Sequence, residues 1–249
     1  MSKTVLAFGL SVILASLTVA QDNGMLPQST FGKSVQANAA QPDIGPSIKR
    51  VGPGGVPFCP AGTCLYYAGD YDSNWSGANG EFDADDTSNG LEGQTWVGVK
   101  PDRDVTVTGA TFVEALTSGY SVTNPTPFAV QVGIKPGQAG KTVCSASGKA
   151  TVTEWGYWQG QIPAYAYTIK RLSHSCRLKR GVVYYVNLLP TSGNGYGYVL
   201  NLPRNPTDHY GWKDDLNHCY FNGFEFGANY VTCNSQGNFS ELSIALTGK

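Results

Sequence analysis

From Cys64 onward, short runs of β-branched and aromatic residues alternate with Gly, Pro, Asn and Asp. No run keeps the i, i+3, i+4 apolar spacing of an amphipathic helix, so the pattern predicts strands and turns throughout. The predicted strands are residues 64–67, 95–99, 105–116, 128–134, 150–158, 164–169, 182–189, 196–202, 223–226 and 239–246. Val105-Thr106-Val107-Thr108 alternates with period two. In 182–189, Val183, Tyr185 and Asn187 fall opposite Val182, Tyr184, Val186 and Leu188. Such alternation predicts one buried face per strand. The whole predicts an all-β fold, a two-sheet antiparallel β-sandwich of the jelly-roll or immunoglobulin-like kind.

The amino terminus reads differently. Lys3 precedes an apolar run, and small residues end in Thr18-Val19-Ala20, the form of a secretory leader cut after Ala20. The run is too short for a membrane anchor, and no other segment approaches about 20 apolar residues, so no membrane insertion is expected. Residues 21–57 are rich in Gln, Asn, Pro, Gly and Ser and read as a flexible spacer. The remainder, 58–249, suffices for one β-sandwich domain.

Charge narrows the partners. The net charge is -1 and 14% of residues are charged, which predicts no nucleic-acid partner. A local exception is the basic stretch 170–180, with Lys170, Arg171, Arg177, Lys179 and Arg180 around Cys176. It fits a solvated, aggregation-guarded strand edge or a contact with a polyanion. The six cysteines, Cys59, Cys64, Cys144, Cys176, Cys219 and Cys233, all follow the leader. An even count in an exported chain points to disulfides, and three consecutive pairs are expected. The absence of a CxxC pair disfavours zinc-ribbon and thioredoxin-like chemistry.

Leu65-Tyr66-Tyr67-Ala68-Gly69-Asp70-Tyr71-Asp72 with Asn79-Gly80 resembles the opening of a group of exported bacterial β-sandwich proteins, whose first strand runs into a "GDFD…N…NG" acidic loop. Asn222-Gly223-Phe224-Glu225-Phe226 with residues 239–248 is similar to that group's last two strands, which finish in "F.FSFGVTG". Gly181-Val182-Val183-Tyr184-Tyr185-Val186 matches its "G.YW..V" strand. The resemblance implies a cell-surface or secreted sandwich, often tethered by a sorting tail, with no activity assigned to the group. Here Lys249 directly follows the last predicted strand, so the expectation is a released, extracellular protein.

Oxygen donors carry the first candidate chemistry. Asp70, Asp72, Asn74 and Glu81 occupy the first, third, fifth and twelfth places of a calcium-loop register, with Asp83, Asp85 and Asp86 as further donors. Trp75 stands where the standard loop has glycine, and a solvated Asp/Asn/Gly turn is the simpler reading of the same residues. Glu81-Phe82-Asp83-Ala84-Asp85-Asp86 also approaches the E-x-D-x-x-E pattern of laminarinase-type jelly-roll glycosidases. In that reading Glu81 works with Asp83 or Asp86 as catalytic carboxylates on one strand face.

The three histidines, His174, His209 and His218, lack a nucleophile-elbow neighbour for triad chemistry. His209 and His218 with Asp214 and Asp215 offer a transition-metal set or an ordered loop held by Cys219. Asn74-Trp75-Ser76 and Asn238-Phe239-Ser240 match the glycosylation acceptor pattern. Aromatics cluster at Trp155, Tyr157 and Trp158, beside Gln159 and Gln161, and at Tyr165 and Tyr167. Exposed, they stack on sugar rings while amides bond the hydroxyls; buried, they are core. Three functions follow as expectations: a non-catalytic protein binding a polysaccharide or other cell-surface component with a calcium-braced loop, a glycosidase, and a structural matrix protein.

Overall fold

The computed structural model describes residues 59, 62–69, 81–82, 84–86, 91–116, 120–122, 125–158, 162–189, 191–193, 199–201, 210–212, 219–223, 228–232 and 242–249. Period-two patterning is realised as strands, and no helix occurs among these residues. In chain order the strands are β1 Cys64–Tyr67, β2 Glu81–Phe82, β3 Ala84–Asp86, β4 Leu91–Val99, β5 Val105–Leu116 and β6 Tyr120–Val122. Then come β7 Thr126–Val132, β8 Lys141–Gly148, β9 Ala150–Trp158, β10 Ile162–Ile169, β11 Cys176–Leu178 and β12 Tyr184–Leu188. The last are β13 Thr191–Gly193, β14 Val199–Asn201, β15 Tyr210–Gly211, β16 Cys219–Gly223, β17 Ala228–Thr232 and β18 Ile244–Gly248.

They form two stacked sheets. The first runs β15-β1-β18-β5-β10-β9, with β11 also on β5 and β14 between β5 and β2. The second runs β6-β13-β3-β4-β12-β7-β8, with β16 joining β4 to β17. Pairing is antiparallel except between β13 and β3. The long strand β5 is the spine of the first sheet. Its Ala110 to Phe112 stretch bonds β10 on one side and β18 on the other. Overlap at Val107 then puts β11 on the β10 side, and overlap at Glu114 and Ala115 puts β14 on the β18 side.

Phe112, Val113, Ile169, Leu178, Ile244 and Leu246 of the first sheet join Val97, Val99, Phe128, Val130, Val186, Leu188 and Phe221 of the second in one apolar core. Burying a side chain of this size contributes about 1.5–3 kcal/mol. The sheets approach closely at Gly148 of β8, where a Cβ would run into Ile169 Cγ2 and the Arg171 carbonyl oxygen. Beside it the Ser173 N–H donates to the Ser147 carbonyl at 2.7 Å, and the Ser147 N–H donates to Ser173 Oγ at 3.1 Å.

Two disulfides follow the expected consecutive pairing. Cys59–Cys64 closes a short loop at β1, and Cys144–Cys176 links β8 of one sheet to β11 of the other. Cys219 is also disulfide-bonded, while Cys233, its expected partner, lies outside the described residues, as do the leader and spacer. Nor is any helix among the described residues long and apolar enough to cross a membrane.

One patterning expectation is corrected. All five residues of β12 are buried, not one face alone. Tyr184, Val186 and Leu188 enter the main core, whereas Tyr185 joins Trp96, Ile134 and Tyr230 in a second cluster. The 135–138 turn after Ile134 is tied to β17, where the Gly137 N–H donates to the Asn229 carbonyl at 3.0 Å and Asn229 Nδ2 donates to the Gly137 carbonyl at 3.1 Å.

Candidate functional site

Strand register assembles a polar row that no stretch of sequence contains. Tyr165 of β10 is the cross-strand partner of Glu154 on β9 and of Glu114 on β5. Glu114 is in turn the partner of Asn201 on β14, and Asn201 of Glu81 on β2. The order across five strands is therefore Glu154, Tyr165, Glu114, Asn201, Glu81. Neighbouring strands lie about 4.8 Å apart, so the backbones of Glu81 and Glu154 each stand about 10 Å from that of Glu114.

The row sits where the core gives way. Along β10, Ile169 and Tyr167 are buried, whereas Tyr165, two residues further out, is half-buried. Glu114 is itself buried at 0% exposure, an uncommon setting for a carboxyl group. Burial raises the Tyr167 phenol well above its ordinary pKa, and the charges of Glu114 and Tyr165 push it the same way. Tyr167 therefore keeps its proton across the physiological range.

The β9–β10 hairpin is irregular at this level. Its register slips between Ala164, opposite Gly156, and Tyr165, opposite Glu154, so Trp155 is the extra residue of a β-bulge. Bulges bend a strand locally and gather at strand edges and binding sites. Within the described sheet β9 pairs with β10 alone, and its Thr151, Val152 and Thr153 are exposed.

The predicted site residues divide accordingly. Trp155, Tyr157 and Trp158 lie on β9, and Tyr165 and Tyr167 on β10, so the aromatic segments do form one hairpin. Tyr167 is 1% exposed and belongs to the interior, leaving Tyr165 as the partly accessible tyrosine. Asp70, Asp72, Asn74, Asp83, Gln159, His209 and His218 lie outside the described residues. Among the described residues no group of three or more His, Cys, Asp or Glu side chains converges as a metal site.

The carboxylates Glu81 and Asp86 do not share a strand. Glu81 pairs in the first sheet through β14, whereas Asp86 pairs with Leu91 of β4 in the second. The chain changes sheets between them, so Glu81 and Asp86 do not lie on one strand face, while Asp83, the other partner expected for Glu81, lies outside the described residues. Register instead brings Glu81 into line with Glu114. Glu114 escaped the sequence reading although a signal was present, since it is the one charged residue in Val105–Leu116. Comparison of the chain with known protein families, with curated proteins and with solved structures found no match.

Proposed function

We infer that this is an exported, disulfide-braced sandwich that binds a polysaccharide or other glycan of a cell surface at the β9–β10 hairpin, without transforming it. The supporting observation is the bulge that sets Glu154 and Trp155 opposite the half-buried Tyr165, in register with Glu114. Aromatic rings take up sugar C–H faces, and carboxylates and amides accept from or donate to hydroxyls, so the composition of the row suits a neutral saccharide. Disulfides persist in oxidising compartments, which supports an extracellular setting together with the leader-like amino terminus. Calcium held by Asp70, Asp72, Asn74 and Glu81 belongs to the same reading as a brace for the neighbouring loop.

Isothermal titration against neutral polysaccharides tests the binding, with Tyr165→Ala and Trp155→Ala expected to weaken it at least tenfold. Flat titrations across the panel would remove the proposal. The calcium brace predicts a melting temperature that falls on chelation and recovers with added calcium, and an unchanged melting temperature removes that part alone.

A further inference from the structure

At the other end of β5 the charge is reversed. Thr106 is the register partner of Arg177 on β11. On its other side it exchanges hydrogen bonds with Lys249, its N–H donating to the Lys249 carbonyl at 2.7 Å and its carbonyl accepting from the Lys249 N–H at 3.1 Å. Arg177 and Lys249 thus flank one residue, and both are exposed. Next along the chain, exposed Lys179 and Arg180 enter a turn with Gly181 at φ 73°.

That turn is tied down by backbone. The Arg180 N–H donates to Asp104 Oδ1 at 2.8 Å, the Gly181 N–H to the Pro101 carbonyl at 2.8 Å, and the Lys179 N–H to Tyr184 Oη at 2.9 Å. The tie leaves a cleft of about 410 Å³ walled by Lys100, Pro101, Asp102, Arg180, Gly181 and Gly211. Gly211 has φ 96°, and any side chain there would strike the Leu65 carbonyl, so the wall stays bare backbone. Tyr210, next to it, is 39% exposed.

Among the described residues no carboxylate claims the cations of this cleft. Asp102 is engaged by Arg103 Nη1 at 3.3 Å and Asp104 by the Arg180 backbone, whereas neither Lys100 nor Arg180 has an ion pair among the described residues. Arginine presents a planar fork that matches a carboxylate or sulfate in two hydrogen bonds, and lysine adds a point charge.

We propose that this basic cleft binds an acidic polysaccharide, one bearing uronate carboxylates or sulfate esters. The ligand's charged groups pair with Lys100 and Arg180 in the cleft, and its chain continues over Lys179, Arg177 and Lys249. The cations form an extended track rather than a single point, which suits a linear polymer over a small anion. Nucleic acid is the poorer partner, because its binding draws on a strongly basic protein field and this chain has a net charge of -1. The cleft lies by β15, at the edge of the first sheet opposite β9, so the proposal stands whether or not the hairpin binds a glycan.

Affinity electrophoresis of the whole chain through gels containing polygalacturonate, dextran sulfate or neutral dextran tests it. One or both acidic polymers retard the protein at low salt, and the retardation fades at high salt. Retardation by polygalacturonate alone identifies the carboxylate source, and by dextran sulfate alone the sulfate ester. Lys100→Glu with Arg180→Glu weakens the interaction at least tenfold, while the equally charged Lys135→Glu with Lys141→Glu leaves it unchanged. If near-ultraviolet circular dichroism shows that the cleft variant is unfolded, Lys100→Gln with Arg180→Gln replaces it, with a smaller loss expected. Any of four results overturns the proposal: no retardation by either acidic polymer, equal retardation by dextran, equal losses in the cleft and control variants, or tighter binding of a single-stranded oligonucleotide.

Discussion

The two halves of β5 serve different ends. From Val105 to Phe112 its neighbours are the disulfide-bearing β11, the β18 core residues Ile244 and Leu246, and the close sheet approach at Gly148 and Ile169. From Glu114 to Leu116 its neighbours are Tyr165 and Asn201, with Glu81 and Glu154 one strand further out. Apolar packing and a covalent cross-link concentrate stability in the first half. That stability lets the second half hold a carboxyl group where packing alone would favour an apolar residue. Fold strength and candidate chemistry are thereby separated along one strand by a few rungs.

The sharpest way to break this division is at the core rung. Phe112→Ala is expected to cost about 3–5 kcal/mol in urea unfolding, because a buried aromatic leaves a cavity between the sheets. A cost below about 1 kcal/mol would mean that the first half does not carry the fold. Next in size is the cross-link. Replacing Cys144 and Cys176 by Ala releases a loop with a sequence separation of 32, expected to cost about 3.7 kcal/mol from chain entropy, against about 2 kcal/mol for Cys59 and Cys64 with a separation of 5. Equal losses for the two pairs would show that joining the sheets adds nothing beyond local bracing.

A smaller effect is expected from Gly148→Ala, about 1–3 kcal/mol, since the new methyl must push Ile169 or the 171 carbonyl aside. A stabilised variant would show that the sheets have room to part.

The smallest effect probes the polar half through pH. The Tyr167 phenol titrates far higher folded than unfolded, where its pKa is about 10. The stability it contributes is fully present below pH about 10 and declines as pH rises from there toward the folded value, by about 1.4 kcal/mol per pH unit. Tyr167→Phe should remove that one-proton increment from the difference between unfolding free energies at pH 9 and pH 11. Glu114→Gln should leave the onset in place, because burial is the largest cause of the shift and the onset is set by the unfolded chain. An alkaline profile identical in wild type and Tyr167→Phe would contradict the buried phenol.

How much of this was legible follows from which forces act locally. Val105–Leu116 and Ala150–Trp158 match the residue pattern to their ends, because β-branched and aromatic residues bounded by turn formers leave little choice. Lys141–Gly148 was missed, since Lys-Thr-Val-Cys-Ser-Ala-Ser-Gly is small and polar and becomes a strand by pairing with β7 and bonding across to β11. Tyr165 was singled out by its aromatic neighbours. Glu114 was passed over, because one acid in a strand reads as a solvent-facing position until both flanking strands are in place.

By itself the chain determined its period-two patterning, its turns and the short Cys59–Cys64 loop, all of which act between residues near in sequence or at the scale of a strand. Only the tertiary structure decided that Glu81, Glu114, Glu154, Tyr165 and Asn201 stand in one row, and that Lys100, Arg180 and Gly211 meet at the other margin. Strand order and register are set by the summed packing of two sheets, and no local preference encodes which distant strands become neighbours.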